Sequence, residues 1–194
     1  FYRADWSFEL MGPTFADGGV REAVTQLVGR PYWPIAWDQM SARLTFAKLP
    51  DDEIRIGALR MRHCVIPHPG GCVAYRIDDI EDGASLVYAT DMEWRDRSHA
   101  QEAAVSSLCR EPKPADCLLI DAHFAGSDAE AFAGWGHTSW HDGVQLAEDL
   151  GIGRLLLGHH DPEADDVTLH RREQEVKNRA PNASLARAGQ WITI

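Results

Sequence analysis

Residues able to ligate a metal recur just beyond the apolar runs that read as strands. His68 follows a run ending near Val65, Asp91 closes Leu86-Val87-Tyr88-Ala89-Thr90, and Asp121 closes Leu118-Leu119-Ile120. His159 and His160, with Asp161 next, end Leu155-Leu156-Leu157-Gly158, and His137 stands just before a helix-cap pattern. Imidazole and carboxylate are natural ligands of Zn²⁺, Mn²⁺ or Fe, and a carboxylate can bridge two ions. Two ions roughly 3.5–4 Å apart can activate water and clamp the oxygens of an ester or phosphodiester. Each residue alone has an ordinary reading: His68 in a surface turn, Asp91 and Asp121 as turn formers or caps. It is their joint recurrence at strand ends that points to a site, because a sheet presents the ends of its strands along a common edge. His63, His99, His141, His160 and His170 read as structural or solvated when taken singly.

The elements that must position these groups follow from pattern. Trp6–Leu10 alternates as a short strand and stops at Gly12-Pro13. Asp17 caps a helix with Val20, Ala23, Val24 and Leu27 on one face. Leu44–Ala47 and Ile54–Val65 read as β, the second bending at Gly57. Pro67–Gly71 is a turn, and Cys72–Ile77 with Ser85–Thr90 forms a hairpin across the acidic turn Asp78–Gly83. Gln101–Cys109 is helical. Cys117–Ile120 and Arg154–Leu157 are continuous apolar runs, the mark of strands covered on both faces. A helix between them places Trp140, Val144, Ala147 and Leu150 on one stripe, with Thr138 or Ser139 as cap and Gly151 as stop. Val167–Asn178 is a polar surface helix, and Gln190–Ile194 is expected as a last strand. β-rich at first and then β-α-β, the order points to an α/β (α+β) fold with helices covering packed sheets, a single domain over 1–194.

Composition narrows the function classes. Of 194 residues, 44% are hydrophobic and 25% charged, which is ordinary for a globular chain. Net charge is −11, a poor balance for a protein that grips nucleic-acid phosphates, so nucleic acid is not favoured as partner. No run reaches the length of a membrane span, so no membrane partner is expected. Cys64, Cys72, Cys109 and Cys117 lack CxxC spacing and read as buried thiols of a reducing, cytoplasmic compartment. Trp33, Trp37, Trp94, Trp135 and Trp140 read as packing residues rather than a stacking surface. Phe1-Tyr2-Arg3-Ala4-Asp5-Trp6 reads as chain in mid-course.

Five ordered segments carry a resemblance. His68-Pro69-Gly70-Gly71 through Tyr75-Arg76-Ile77, Tyr88–Glu93, Asp121-Ala122-His123-Phe124, Gly134-Trp135-Gly136-His137-Thr138-Ser139 and Leu157–Pro162 together resemble the C-terminal two-thirds of a metallo-β-lactamase-fold hydrolase, in the ribonuclease Z and phosphodiesterase branch. The resemblance implies an αββα sandwich and two divalent ions, zinc first and manganese or iron otherwise. By the same resemblance His68 binds one ion, Asp91 bridges both and His159 binds the second. Asp121 and His137 form a carboxylate–imidazole pair near the scissile group, and His160 and Asp161 orient His159. The family's His-x-His-x-Asp-His motif is nowhere in this sequence, since no two histidines are separated by a single residue. The fold is therefore expected to be N-terminally incomplete, the chain starting just downstream of that motif.

The function this implies is metal-dependent hydrolysis of a small phosphodiester or related ester, with a metal-bridging hydroxide as nucleophile. The competing reading is a non-catalytic module of the same fold used for partner binding or regulation. Association with a second chain, a homodimer included, is a third expectation.

Overall fold

The computed structural model describes residues 2–16, 18–126 and 130–194. Two compact units emerge, one running to Asp51 and the other covering Asp52–Ile194.

The first unit pairs β1 (Ser7–Gly12) in parallel with β2 (Arg43–Lys48), and α1 (Val20–Leu27) packs on both. A Cβ on Gly12 would stand 2.9 Å from Val20 Cβ, so the absent side chain is what lets α1 approach β1. The expected helix cap, Asp17, lies outside the described residues. The helix is instead preceded by Gly19, whose N–H donates to Glu22 Oε2 at 2.8 Å.

The second unit is a seven-stranded sheet. Its strands are β3 (Ile54–Ile56), β4 (Leu59–Ile66), β5 (Cys72–Asp79), β6 (Ser85–Ala89), β7 (Cys117–Asp121), β8 (Arg154–Gly158) and β9 (Ala183–Leu185), neighbours in that order. From β3 to β6 the pairing is antiparallel, and from β6 to β9 parallel. The parallel steps are bridged by α2 (His99–Arg110), α3 (Trp140–Leu150) and α4 (Asp166–Arg179). Parallel strands need such crossovers, and the helices cover the sheet's apolar face. The core sits between them: Val87, Leu118, Ile120, Leu155 and Leu157 from strands meet Val105, Leu108, Val144 and Val176 from helices. Among the described residues no helix is long and apolar enough to cross a membrane.

Helix ends obey local chemistry. Ser139 Oγ accepts the Asp142 N–H at 3.2 Å, and Gly151 closes α3 in the left-handed region at φ 72°. Fully buried Arg76 secures the C-terminus of α2. Its Nη1 donates to the carbonyls of Leu108, Cys109 and Lys113 at 3.0–3.1 Å, and its Nε pairs with Asp78 at 2.8 Å.

Two strand expectations are corrected. The run Ile54–Val65 does not bend but reverses: Gly57, at φ 59°, turns the chain so that Ile56 pairs with Leu59. Residues 190–194 join no ladder, and the Thr193 carbonyl is held by the Arg154 side chain at 2.9 Å. The last strand is β9, whose three residues are too few to show alternation in sequence.

Candidate functional site

Strand direction assembles the site. β4 runs antiparallel to β5 and β5 antiparallel to β6, so β4 points the same way as β6, β7 and β8. The C-terminal ends of these four strands therefore share one sheet edge. His68 lies just beyond β4, Asp91 beyond β6, Asp121 and His123 at the end of β7, and His159 beyond β8. Open α/β sheets bind ligands at this edge.

The backbone is strained where it delivers two of these groups. Asp91 (φ 57°) and His159 (φ 52°) occupy the left-handed region and are the non-glycine residues found there among the described residues. Such conformations cost of order 1–3 kcal/mol and persist where the surroundings fix them. The two side chains meet, His159 Nε2 lying 3.4 Å from Asp91 Oδ1.

A second pair lies beside the first. His137 Nδ1–H donates to Asp121 Oδ2 at 2.8 Å, and the other carboxylate oxygen accepts the His123 N–H at 3.0 Å and the Thr138 N–H at 3.4 Å. Asp121 is fully buried. Burial pushes its carboxyl above the ordinary range, while the His137 hydrogen bond pulls it back. With Nδ1 engaged, His137 keeps Nε2 as its free lone pair. His68 has the same arrangement, its Nδ1–H donating to Pro69 O at 2.7 Å.

Four imidazoles crowd together. The His137 ring centroid lies 4.4 Å from His123, 4.9 Å from His159 and 6.1 Å from His68. Among the described residues His123, His137 and His159 each offer a ligand atom, all within 4.8 Å of one another. His123 Nδ1 is buried without a hydrogen-bond partner, and burial, with His137 adding to it, lowers the pKa of that ring. A half-buried imidazole whose buried nitrogen is unsatisfied suits a metal ion, so the donor set fits the group that the sequence pattern calls for.

The sequence-predicted residues therefore meet at one edge: Asp91 with His159, Asp121 with His137, and His68 against His137. His123 joins them and was missed, although it stands two residues past the strand end that drew attention to Asp121. Asp161 serves locally, its Oδ1 accepting the Glu163 N–H at 2.9 Å in the turn before α4. Both ring nitrogens of His160 are buried without a hydrogen-bond partner. The four cysteines are free thiols, and burial pushes Cys64 and Cys109 up to about 12, which leaves them inert.

Comparison with known proteins agrees with this architecture. A model of the β-lactamase superfamily domain matches residues 11–160. No curated protein matches the chain. Among solved structures, human tRNase Z (short form) superposes with a TM-score of 0.62 at 15% identity, covering 98% of this chain and 69% of that one. A diphosphatase from the PhnP family gives 0.63 at 14% identity, covering 97% and 59%. Zn²⁺-bound PqqB from Methylobacterium extorquens gives 0.64 at 16%, covering 100% and 67%. This chain thus spans between 59 and 69% of these neighbours' lengths. With this sheet, these covering helices and a family match over most of its length, the chain belongs to the β-lactamase superfamily and has the metallo-β-lactamase fold.

Proposed function

We propose that the protein is a metal-dependent hydrolase of a small phosphodiester or related ester. One observation carries the reading: His123, His137 and His159 bring ligand atoms within 4.8 Å of one another at a sheet edge where His137 is also bonded to the buried Asp121 carboxylate. His68, Asp91, His123 and His159 would hold the ions, zinc first, with manganese or iron also compatible with a set lacking thiolate. When bound, such ions lower the pKa of water and neutralise charge on a phosphoryl group.

The remaining chemistry belongs to the chain. Asp121 fixes the His137 tautomer and steadies its imidazolium form. His137 Nε2, the lone pair left free by that bond, takes up the proton released by the attacking water, and as imidazolium it holds a phosphoryl oxygen or passes that proton to the departing alkoxide. Support for a phosphoryl rather than another ester comes from the solved neighbours, which include a tRNase and a diphosphatase. The net charge of −11 favours a small substrate over a polyanion.

Hydrolysis of bis(p-nitrophenyl) phosphate by metal-replete protein tests this. The expected result is turnover that Asp91→Ala abolishes and that chelation removes and zinc restores. Protein that carries its metal and hydrolyses no phosphodiester or other ester contradicts it.

A further inference from the structure

One buried carboxylate beside the site is not used by the chemistry above. Glu93 is only 6% exposed and lies two residues after Asp91. Its two oxygens take two backbone donors from one loop: Gly134 N–H reaches Oε1 at 2.6 Å and Gly136 N–H reaches Oε2 at 2.8 Å. That loop leads directly into His137. The Glu93 N–H in turn donates to Pro67 O at 2.8 Å, next to His68. Flanking bonds run the same way. Trp94 N–H donates to Thr138 Oγ1 at 3.1 Å, and the Thr138 hydroxyl donates to the Met92 carbonyl.

Both glycines are needed for this arrangement. Gly134 and Gly136 have φ of 86° and 88°, which turns their N–H groups toward a common anion, as in a backbone nest. Gly136 also passes so close to His68 that a Cβ there would lie 2.6 Å from the ring Nε2. The segment carrying Asp91, the loop carrying His137 and the turn carrying His68 are thus joined through one acidic residue. Charge-assisted bonds from backbone N–H groups are about twice as strong as neutral ones.

We infer that Glu93 is a positioning residue: by clamping Gly134 and Gly136 it holds His137 in register with Asp121 and seats the loop against His68. This rests on the hydrolase reading, because positioning matters only if His137 acts on the leaving group. The clamp's signature is a dependence on leaving group. A p-nitrophenolate departs without a proton, whereas an alkoxide needs one.

Three measurements on the full protein test it. Amide hydrogen exchange at Gly134 and Gly136 should accelerate roughly 10- to 100-fold in Glu93→Ala, while β7 and β8 stay protected. Metal content should be unchanged. On an alkyl phosphodiester, kcat should fall about 100-fold with little change in KM, against a few-fold on bis(p-nitrophenyl) phosphate, the same selectivity as His137→Ala. Glu93→Gln, which keeps one acceptor oxygen, should fall between wild type and alanine and serves if alanine fails to fold. Unchanged exchange at the two glycines overturns the clamp. Equal losses on both esters overturn the positioning role. If wild-type protein hydrolyses neither ester, the hydrolase reading fails, and the exchange result alone decides whether the clamp exists.

Discussion

At the residue scale, the proposed roles divide one cluster: His137 stacks 4.4 Å from His123 and 4.9 Å from His159, and its bond to Asp121 is what marks it for acid–base work. Asp121→Asn keeps the shape but removes the charge that steadies protonated His137. On an alkyl phosphodiester, whose leaving group needs the proton, it should lower kcat by about 10²–10⁴ while metal stays bound, a split read from steady-state kinetics beside elemental analysis. Gly136→Ala tests the close approach to His68. With φ at 88° and a Cβ that would overlap the imidazole, it should destabilise by about 1–3 kcal/mol, measured by urea unfolding. His68, Asp91, Asp121 and His159 were singled out by one rule, a polar residue just past an apolar strand, and His137 by its place before a helix-cap pattern. His123 obeyed that rule and was overlooked because Asp121, the nearer residue, already accounted for the strand end. Glu93 was not legible, since its role comes from backbone donors 41 and 43 residues further along the chain, with no trace in local pattern.

Elements were legible where burial imposes a period. β7 and β8 read as continuous apolar runs because both faces are covered, and α3 announced itself by its stripe, a cap at Thr138 or Ser139 that the structure places at Ser139, and its Gly151 stop. The reversal at Gly57 was hidden because a tight hairpin leaves alternation on both sides unbroken. β9 was hidden by its brevity, and 190–194 misled because alternating residues need not find a ladder partner. Arg76 supports α2 as an element. Arg76→Met would remove the buried donor shared by the Leu108, Cys109 and Lys113 carbonyls and leave Asp78 with its longer 3.4 Å bond from Arg60, costing about 3–5 kcal/mol in a denaturant titration. At α4, the Thr168 side chain and N–H hold the Asp165 carboxyl below its ordinary value of 3.8. A lowered folded-state pKa means the charge stabilises α4 above pH 3.8 and ceases to do so as pH falls through the lowered value. Asp165→Ala should therefore lower Tm at neutral pH, with the gap narrowing in acid.

At the scale of the molecule, one sheet edge gathers groups that lie far apart in sequence, from His68 to His159. Antiparallel strands followed by parallel ones bring four strand ends to the same side, and the strained backbone at Asp91 and His159 turns two side chains toward each other there. Metal held there as proposed would be coupled to folding, because the unfolded chain cannot gather the ligands. Native-state binding at 100 times Kd stabilises by about 2.7 kcal/mol, so chelation should lower Tm measurably.

Whether this edge holds metal is read from elemental analysis of protein prepared with zinc present. About two ions are expected per wild-type chain, with a clear fall in His159→Ala and in His123→Ala and no change in His170→Ala. Metal-free wild-type protein, or the same content in all four proteins, would contradict it.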